Sequence, residues 1–352
     1  MCRGEPGQGA VCRRNALEKP DFPNAARAAA GTGVAGPRGF RAPVESPMKP
    51  PAGATDAPAR SFQDLRPAMG KILWLASYPK SGNTWLRVFL HNLFRDPDEP
   101  YDINKLNEFC SADYAAIWYQ QHLRKPAEEM TEQEVAALRP KVHEALTRVH
   151  PDTVFVKTHN ALVESHGTEM VTMSQTAGAI YVVRNPLDVA ISYGHHAGLD
   201  IDTAIEALNL AGNMTPNENN HVYQVYGSWS EHVKSWTGVA HPALHVMRYE
   251  DMLERPMDTF GAVAAFLGLR PTRERLQRAI QNSSFDELRK QEAKHGFEER
   301  SEKTTGFFRE GRAGQWRETL TPAQIERIAG AHQEQMRRFG YWPPKTEQAR
   351  AS

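Results

Sequence analysis

The sequence predicts an α/β protein of three layers, a central parallel sheet flanked by helices. Three observations lead there. Short apolar runs, each long enough for one buried strand, alternate with segments whose apolar residues recur at helical spacing. Four of those runs end in polar clusters, as expected where a parallel sheet takes its ligand beyond the C-terminal ends of its strands. A hydrophobic fraction of 40% and seven tryptophans in 352 residues suit a globular core of that size.

The first strand is Ile72 to Ala76. It runs into a breaker-rich turn, Ser77-Tyr78-Pro79-Lys80-Ser81-Gly82-Asn83, and a helix begins near Thr84, with Leu86, Phe89, Leu90 and Leu93 on one face. Strand, small-residue turn and helix together point backbone N–H groups and the positive end of a helix dipole at one spot. Lys80 and the hydroxyls of Ser81 and Thr84 add donors there, which makes a phosphate cradle and a P-loop-like nucleotide-binding fold. The usual triphosphate loop places its lysine directly after its last glycine. Here Lys80 precedes Gly82 and no glycine lies upstream in the turn, which disfavours a magnesium–ATP enzyme. Taken alone, the turn is equally an ordinary strand-to-helix connection.

Residues 97–150 read as mostly helical, with a capping box at Thr131 and Glu134 opening a helix that reaches about Val149. Asp152 to Val156 is the second strand, ending in Lys157-Thr158-His159-Asn160. Ala179 to Val183 is the third, ending in Arg184-Asn185-Pro186, and Pro186 suits the first turn of a helix to about His196. Residues 198–221 carry a loop around Gly212 to Asn217, expected to be mobile. Val222 to Trp236 reads as a helix and Ala243 to Met247 as the fourth strand, before Arg248-Tyr249-Glu250-Asp251. Helices are expected at about 256–267, 271–281 and 321–338. Gly296 to Gly314 reads as a long loop.

Residues 1–68 differ from this pattern. They hold ten of the 24 prolines, and ten Lys/Arg against six Asp/Glu leave them at +4. Such a segment buries too little apolar surface to repay its ordering, so a disordered tail is expected, followed by one domain over 69–345. A transit peptide is one reading of the tail; an over-long start, with Met69 the natural beginning, is the plainer one. Across the chain 42 basic and 42 acidic residues cancel, so bulk charge proposes neither a nucleic-acid nor a membrane partner. Three cysteines without metal-ligand spacing fit a reducing cytoplasm, and no apolar run approaches the ~18 residues of a membrane helix. No metal is expected. His195 and His196 are adjacent, so they point to different faces of a helix.

The polar clusters, with Phe308-Arg309-Glu310-Gly311-Arg312-Ala313-Gly314-Gln315-Trp316 as a fifth, resemble in order and spacing the cytosolic-type sulfotransferase family, which uses 3′-phosphoadenosine 5′-phosphosulfate (PAPS). The resemblance spans roughly Lys71 to Tyr341. It implies that Lys80, Ser81, Gly82, Asn83 and Thr84 hold the 5′-phosphosulfate and that Trp85 packs on the adenine. It implies Arg184 and Ser192 as the 3′-phosphate pair, with Tyr249 on the adenine side. Ser283-Ser284-Phe285 resembles the family's Thr-Ser-Phe stretch, so Ser283 and Phe285 are expected against the nucleotide. Arg309 and Gly311 match its late Arg-Lys-Gly stretch on the 3′-phosphate. Glu310 stands where that stretch has lysine, and a carboxylate repels a phosphate, so Arg309, backbone amides and Arg312 are left to serve there.

The same resemblance makes His159 the general base and Lys80 and Lys157 the catalytic cations. Chemistry independently asks for such groups. An alcohol attacking sulfur must lose a proton, an imidazole takes one near neutral pH, and fixed ammonium groups offset charge on the departing phosphate. The acceptor is a small molecule whose identity stays open among alcohols, phenols, lipids, sugars and amines. Nothing in the sequence decides between a monomer and a homodimer. Two other readings stand beside this one: a P-loop ATP-dependent phosphotransferase or hydrolase, and a non-catalytic nucleotide-binding protein.

Overall fold

A computed structural model describes residues 71–342, except Pro151 and Thr305. The expected tail, its start at Met69 and the domain's last residues lie outside the described residues.

Strand β1 (Ile72–Ser77) enters a tight turn and then helix α1 (Asn83–Arg95). The next segment holds a 3-10 turn at Ile103–Glu108, strand β2 (Cys110–Ala112), and helices α2 (Ala116–Leu123) and α3 (Glu132–Leu146). Strand β3 (Val154–Thr158) precedes a small antiparallel hairpin of β4 (Glu164–Ser165) and β5 (Thr168–Glu169). Then come β6 (Thr176–Val183), α4 (Pro186–Ala197), α5 (Ile201–Asn209) and α6 (Trp229–Thr237). Strand β7 (Leu244–Arg248) leads into α7 (Tyr249–Glu254), α8 (Pro256–Phe266), α9 (Arg273–Asn282) and α10 (Phe285–His295). A long loop, α11 (Trp316–Thr319) and α12 (Pro322–Arg338) complete the order.

The sheet runs β2-β3-β1-β6-β7, and every neighbouring pair is parallel. Alternate residues of β1 and β6 face opposite layers, as the period of a strand requires. Ile72, Trp74, Ala76, Tyr181 and Val183 pack into one core with α3 to α6 and α12. Leu75, Ile180 and Val182 pack into the other with Leu86 and Phe89 of α1 and Phe260 of α8. Strands buried on both faces read as unbroken apolar runs, which is why these were visible in the sequence.

Caps fix where the helices begin. Thr131 and Glu134 form the expected capping box, and Asn185 caps α4 through Leu187 N–H with Pro186 in its first turn. Each such cap is worth about 1 kcal/mol. α3 stops at Leu146, three residues short of the expected end. Lys157 and Thr158 belong to β3 itself rather than to the turn after it.

One expectation is corrected, and two elements the sequence did not show are added. Residues 97–150 are mostly helical, as expected, and β2 adds an unforeseen fifth strand at the sheet edge, too short to show a period. The expected helix from Val222 starts only at Trp229. Gly227 takes φ 64° and Ser228 with Glu231 forms a capping box, so the chain turns there. Residues 222–226 instead bond across the fold, Val222 N–H to Tyr114 O at 2.9 Å and Val225 N–H to Asn160 Oδ1 at 2.9 Å. Finally, 198–221 holds helix α5, capped by Asp200. Among the described residues no helix is long and apolar enough to cross a membrane.

Candidate functional site

The C-terminal ends of β1, β3 and β6 lie side by side, so three of the polar clusters converge. The β1–α1 turn is held from below: Asn83 donates from Nδ2 to Leu75 O at 2.8 Å, which turns its side chain into the fold. Lys80 takes φ 64° and Gly82 φ 107°. A Cβ at Gly82 would stand 2.7 Å from Cδ2 of Tyr249, so only glycine lets the turn and Tyr249 meet. Ser81 Oγ is buried and bonds to no protein group.

Arg184, at the end of β6, donates from Nη1 to Lys80 O at 3.0 Å and from Nη2 to Arg312 O at 3.4 Å. Its guanidinium lies 4.1 Å from the Tyr249 ring centroid, and its buried Nε bonds to no protein group. Trp85 meets Tyr249 edge to face at 5.8 Å. Ser192 of α4 lines a cavity with Lys80, Phe307 and Arg309. Asp188, also on α4, anchors the late loop by accepting from Gly314 N–H at 2.7 Å and Trp316 N–H at 3.1 Å. The Lys80 ammonium sits 3.9 Å over the Phe307 ring. Burial first, then Arg184 and Lys157, push its pKa down to about 7. The part of that push due to Arg184 and Lys157 marks a local concentration of positive charge, which favours an anion.

His159 stands just past β3. Its Nδ1 lies 2.8 Å from Ser77 O, and a carbonyl only accepts, so Nδ1 carries the hydrogen and Nε2 keeps its lone pair. By the same logic His232 donates from Nε2 to His159 O at 3.0 Å and accepts at Nδ1 from the Tyr181 hydroxyl at 2.8 Å. Tyr114 stacks on the His159 ring at 6.2 Å. Burial, then the Lys157 ammonium, hold His159 well below the usual imidazole value, so it is a neutral base.

Sequence reasoning missed the groups behind and above this cluster. Asp113 is fully buried and accepts from Thr158 Oγ1 at 3.1 Å and Asn160 Nδ2 at 2.9 Å, with Arg139 Nη1 3.6 Å away. Glu299, in the loop before α11, accepts from Arg87 at 2.7 Å on both oxygens and from Lys157 Nζ at 3.2 Å. Arg87 was visible as a charge in the buried stripe of α1; Glu299 carried no signal, being 212 residues away.

The remaining expected residues divide. Ser283 is buried and turns its hydroxyl onto Ala279 O at 2.9 Å and Ile280 O at 3.2 Å. Arg312 is engaged by Glu310 at 3.2 Å and Glu318 at 2.7 Å, on the exposed side of the loop. Thr84 Oγ1 accepts from Arg87 at 3.1 Å. Gly311 takes φ 63°, and a Cβ there would stand 2.2 Å from the Phe285 ring. Gly311→Ala is therefore expected to cost about 1–3 kcal/mol by overpacking, read as a fall in Tm of about 2–4 °C per kcal/mol. An unchanged Tm would show that the Phe285 ring moves freely.

Compared with known proteins, residues 71–340 match the family model described as the sulfotransferase domain. Sulfotransferase 1B1 of Canis lupus familiaris is 30% identical over 276 residues, 74% of this chain and 82% of that protein. Sulfotransferase 1A1 of the same organism is 28% identical over 293 residues, 80% of this chain and 88% of that protein. Among solved structures, a mouse sulfotransferase complexed with PAP matches with a TM-score of 0.52 at 22% identity, over 80% of this chain and 88% of that one. Retinol dehydratase in a complex with retinol and PAP matches with a TM-score of 0.53 at 20% identity, over 80% and 83%. At those identities the structures speak for the fold.

Proposed function

Because this chain belongs to the sulfotransferase domain family, we propose that it moves a sulfuryl group from PAPS to a hydroxyl, or an amine, of a small acceptor, with His159 as general base. The observation that carries this reading is the His159 ring: its tautomer is fixed by Ser77 O, so a basic Nε2 remains at the ends of the strands that also present Lys80 and Lys157.

The residues suit the donor's product, adenosine 3′,5′-bisphosphate (PAP), with which the similar mouse enzyme was solved. The orphaned Ser81 Oγ and Arg184 Nε are donors with nothing to bond in the protein. The amides of the 80–84 turn at the start of α1, with Lys80, would hold the 5′-phosphosulfate. Arg184, Ser192, Arg309 and the Gly311 backbone would hold the 3′-phosphate, with Trp85, Tyr249 and Phe285 against the adenine. Ser283 has only its backbone carbonyl left for the nucleotide, since its hydroxyl and its N–H are both committed to α9.

The bound donor supplies the sulfuryl group, its S–O bond to phosphate breaking as the acceptor's O–S bond forms. His159 Nε2 takes the acceptor's proton. Lys80 and Lys157 offset the charge left on the phosphate oxygen.

Calorimetry against PAP and against ATP–Mg tests the nucleotide assignment. PAP is expected to bind at least tenfold tighter, a difference of about 1.4 kcal/mol. Tighter ATP binding would replace this reading with the ATP-dependent one. Labelled donor with a panel of phenols, alcohols, sterols and amines then tests transfer, and binding without turnover would favour the non-catalytic reading.

A further inference from the structure

One ionic group in the cleft is unexplained by anion binding. Glu299 puts a carboxylate beside Lys157, where the proposed reaction wants net positive charge. The carboxylate is neutralised from behind: Arg87, with 1% of its side chain exposed, grips both its oxygens. Lys157 then gives one of its three N–H donors to Glu299 and keeps two for the cleft. Its other face lies 5.3 Å from the Tyr114 ring.

We propose that Glu299 is a positioning residue for sulfuryl transfer: braced by the Arg87 fork, its carboxylate holds Lys157 Nζ at the end of β3, aimed at the departing phosphate. The inference rests on the function proposed above. The ionisable groups around Lys157 are Arg87 from α1, Cys110 from β2, Tyr114, Lys80, His159, His196, His221 and Glu299. Of these, Glu299 alone is anionic at neutral pH, since burial pushes the Cys110 thiol up to about 11 and Tyr114 higher still than an ordinary phenol. Burial also pulls the Lys157 amine down from its ordinary value, and Glu299 opposes that. Without the carboxylate both Lys157 and Lys80, whose charged forms Glu299 favours, lose their protons at lower pH, so the alkaline limb of the rate profile must move down, and the lysine spectra separate the two amines.

The test compares full-length wild type with Glu299→Gln and Glu299→Asp, following kcat/KM for PAPS from acid to alkaline pH. The Gln variant is expected to lose its alkaline limb at lower pH than wild type, read as a roughly tenfold lower kcat/KM at a fixed alkaline pH. Asp, which restores the charge, is expected to recover most of it. An unmoved limb in the Gln variant overturns the inference, and so does a Gln variant faster than wild type, which would mark the carboxylate as a competitor for the anion's place. A measurement on the unaltered protein guards against unstable variants. In 15N-lysine spectra the Lys157 ammonium, assigned by its loss in Lys157→Arg, is expected as a slowly exchanging ion-paired signal; a fast-exchanging average would refute the pairing. Wild type that sulfates no acceptor would count against the proposed function, whereas transfer with an unmoved limb would count against Glu299 alone.

Discussion

Replacing His159 by alanine is expected to lower sulfuryl transfer by about 10²–10⁴-fold, the usual worth of a positioned general base. PAP affinity should stay within about threefold, a difference under 1 kcal/mol, because the groups proposed to hold the phosphates, residues 80–84 and Arg184, do not bond to the imidazole, which is tied to Ser77 instead. Steady-state rates and calorimetry on the same preparation separate the two effects. The sign of the pH dependence follows from the environment. Burial and the Lys157 ammonium hold the ring well below the ordinary imidazole value of about 6.5, so the basic form persists as pH falls through that value. The acid limb of kcat should therefore lie below pH 6.5. Wild-type transfer by His159→Ala, or an acid limb above 6.5, would remove the imidazole from the role given to it.

Asp113→Ala carries the largest expected loss of stability. The carboxylate is fully buried beneath the end of β3, and three buried groups share it: the Thr158 hydroxyl, the Asn160 amide and the Arg139 guanidinium. Removing it leaves a cation and two donors without their partner away from water. Breaking a buried pair from one side typically costs about 3–5 kcal/mol, a large share of the ~5–15 kcal/mol that holds a domain folded. Denaturant unfolding at neutral pH measures it. Asn160 also receives Val225 N–H on Oδ1 and Trp236 Nε1–H on its carbonyl, so loosening it should loosen the neighbouring His159 as well. A loss under about 1 kcal/mol, the range of an exposed ion pair, would mean that Arg139 finds another partner and that the network is not a structural hub.

Much of this was legible in the chain. The β1–turn–α1 unit is local: an apolar run, breakers and a helical stripe occupy 20 consecutive residues, and the structure puts their ends within a residue of the expected places. Lys80, Lys157, His159 and Arg184 were named from strand ends, and a parallel sheet brings strand ends together by construction. What stayed hidden is non-local. β2 is three residues long and exists only because β3 offers it an edge. The stretch 222–228 is apolar enough for a helix, but its backbone is satisfied by Tyr114 and Asn160 from distant segments. The same holds for Glu299, whose partners Arg87 and Lys157 come from α1 and β3. Ser283 shows the converse: its place in a motif is readable, but the direction of its hydroxyl is set by the end of α9.

Tyr341 lies beyond the last helix and is buried, and its hydroxyl donates to Glu250 Oε2 at 2.6 Å. The other oxygen of Glu250 accepts from Asn185 N–H at 3.0 Å, next to Arg184. Anyone shortening this chain from its far end therefore meets a boundary at that tyrosine. Removing it would strip a hydrogen-bond partner from a buried acid and loosen the collar beside Arg184. A fusion partner joined after Trp342 would leave the latch fastened.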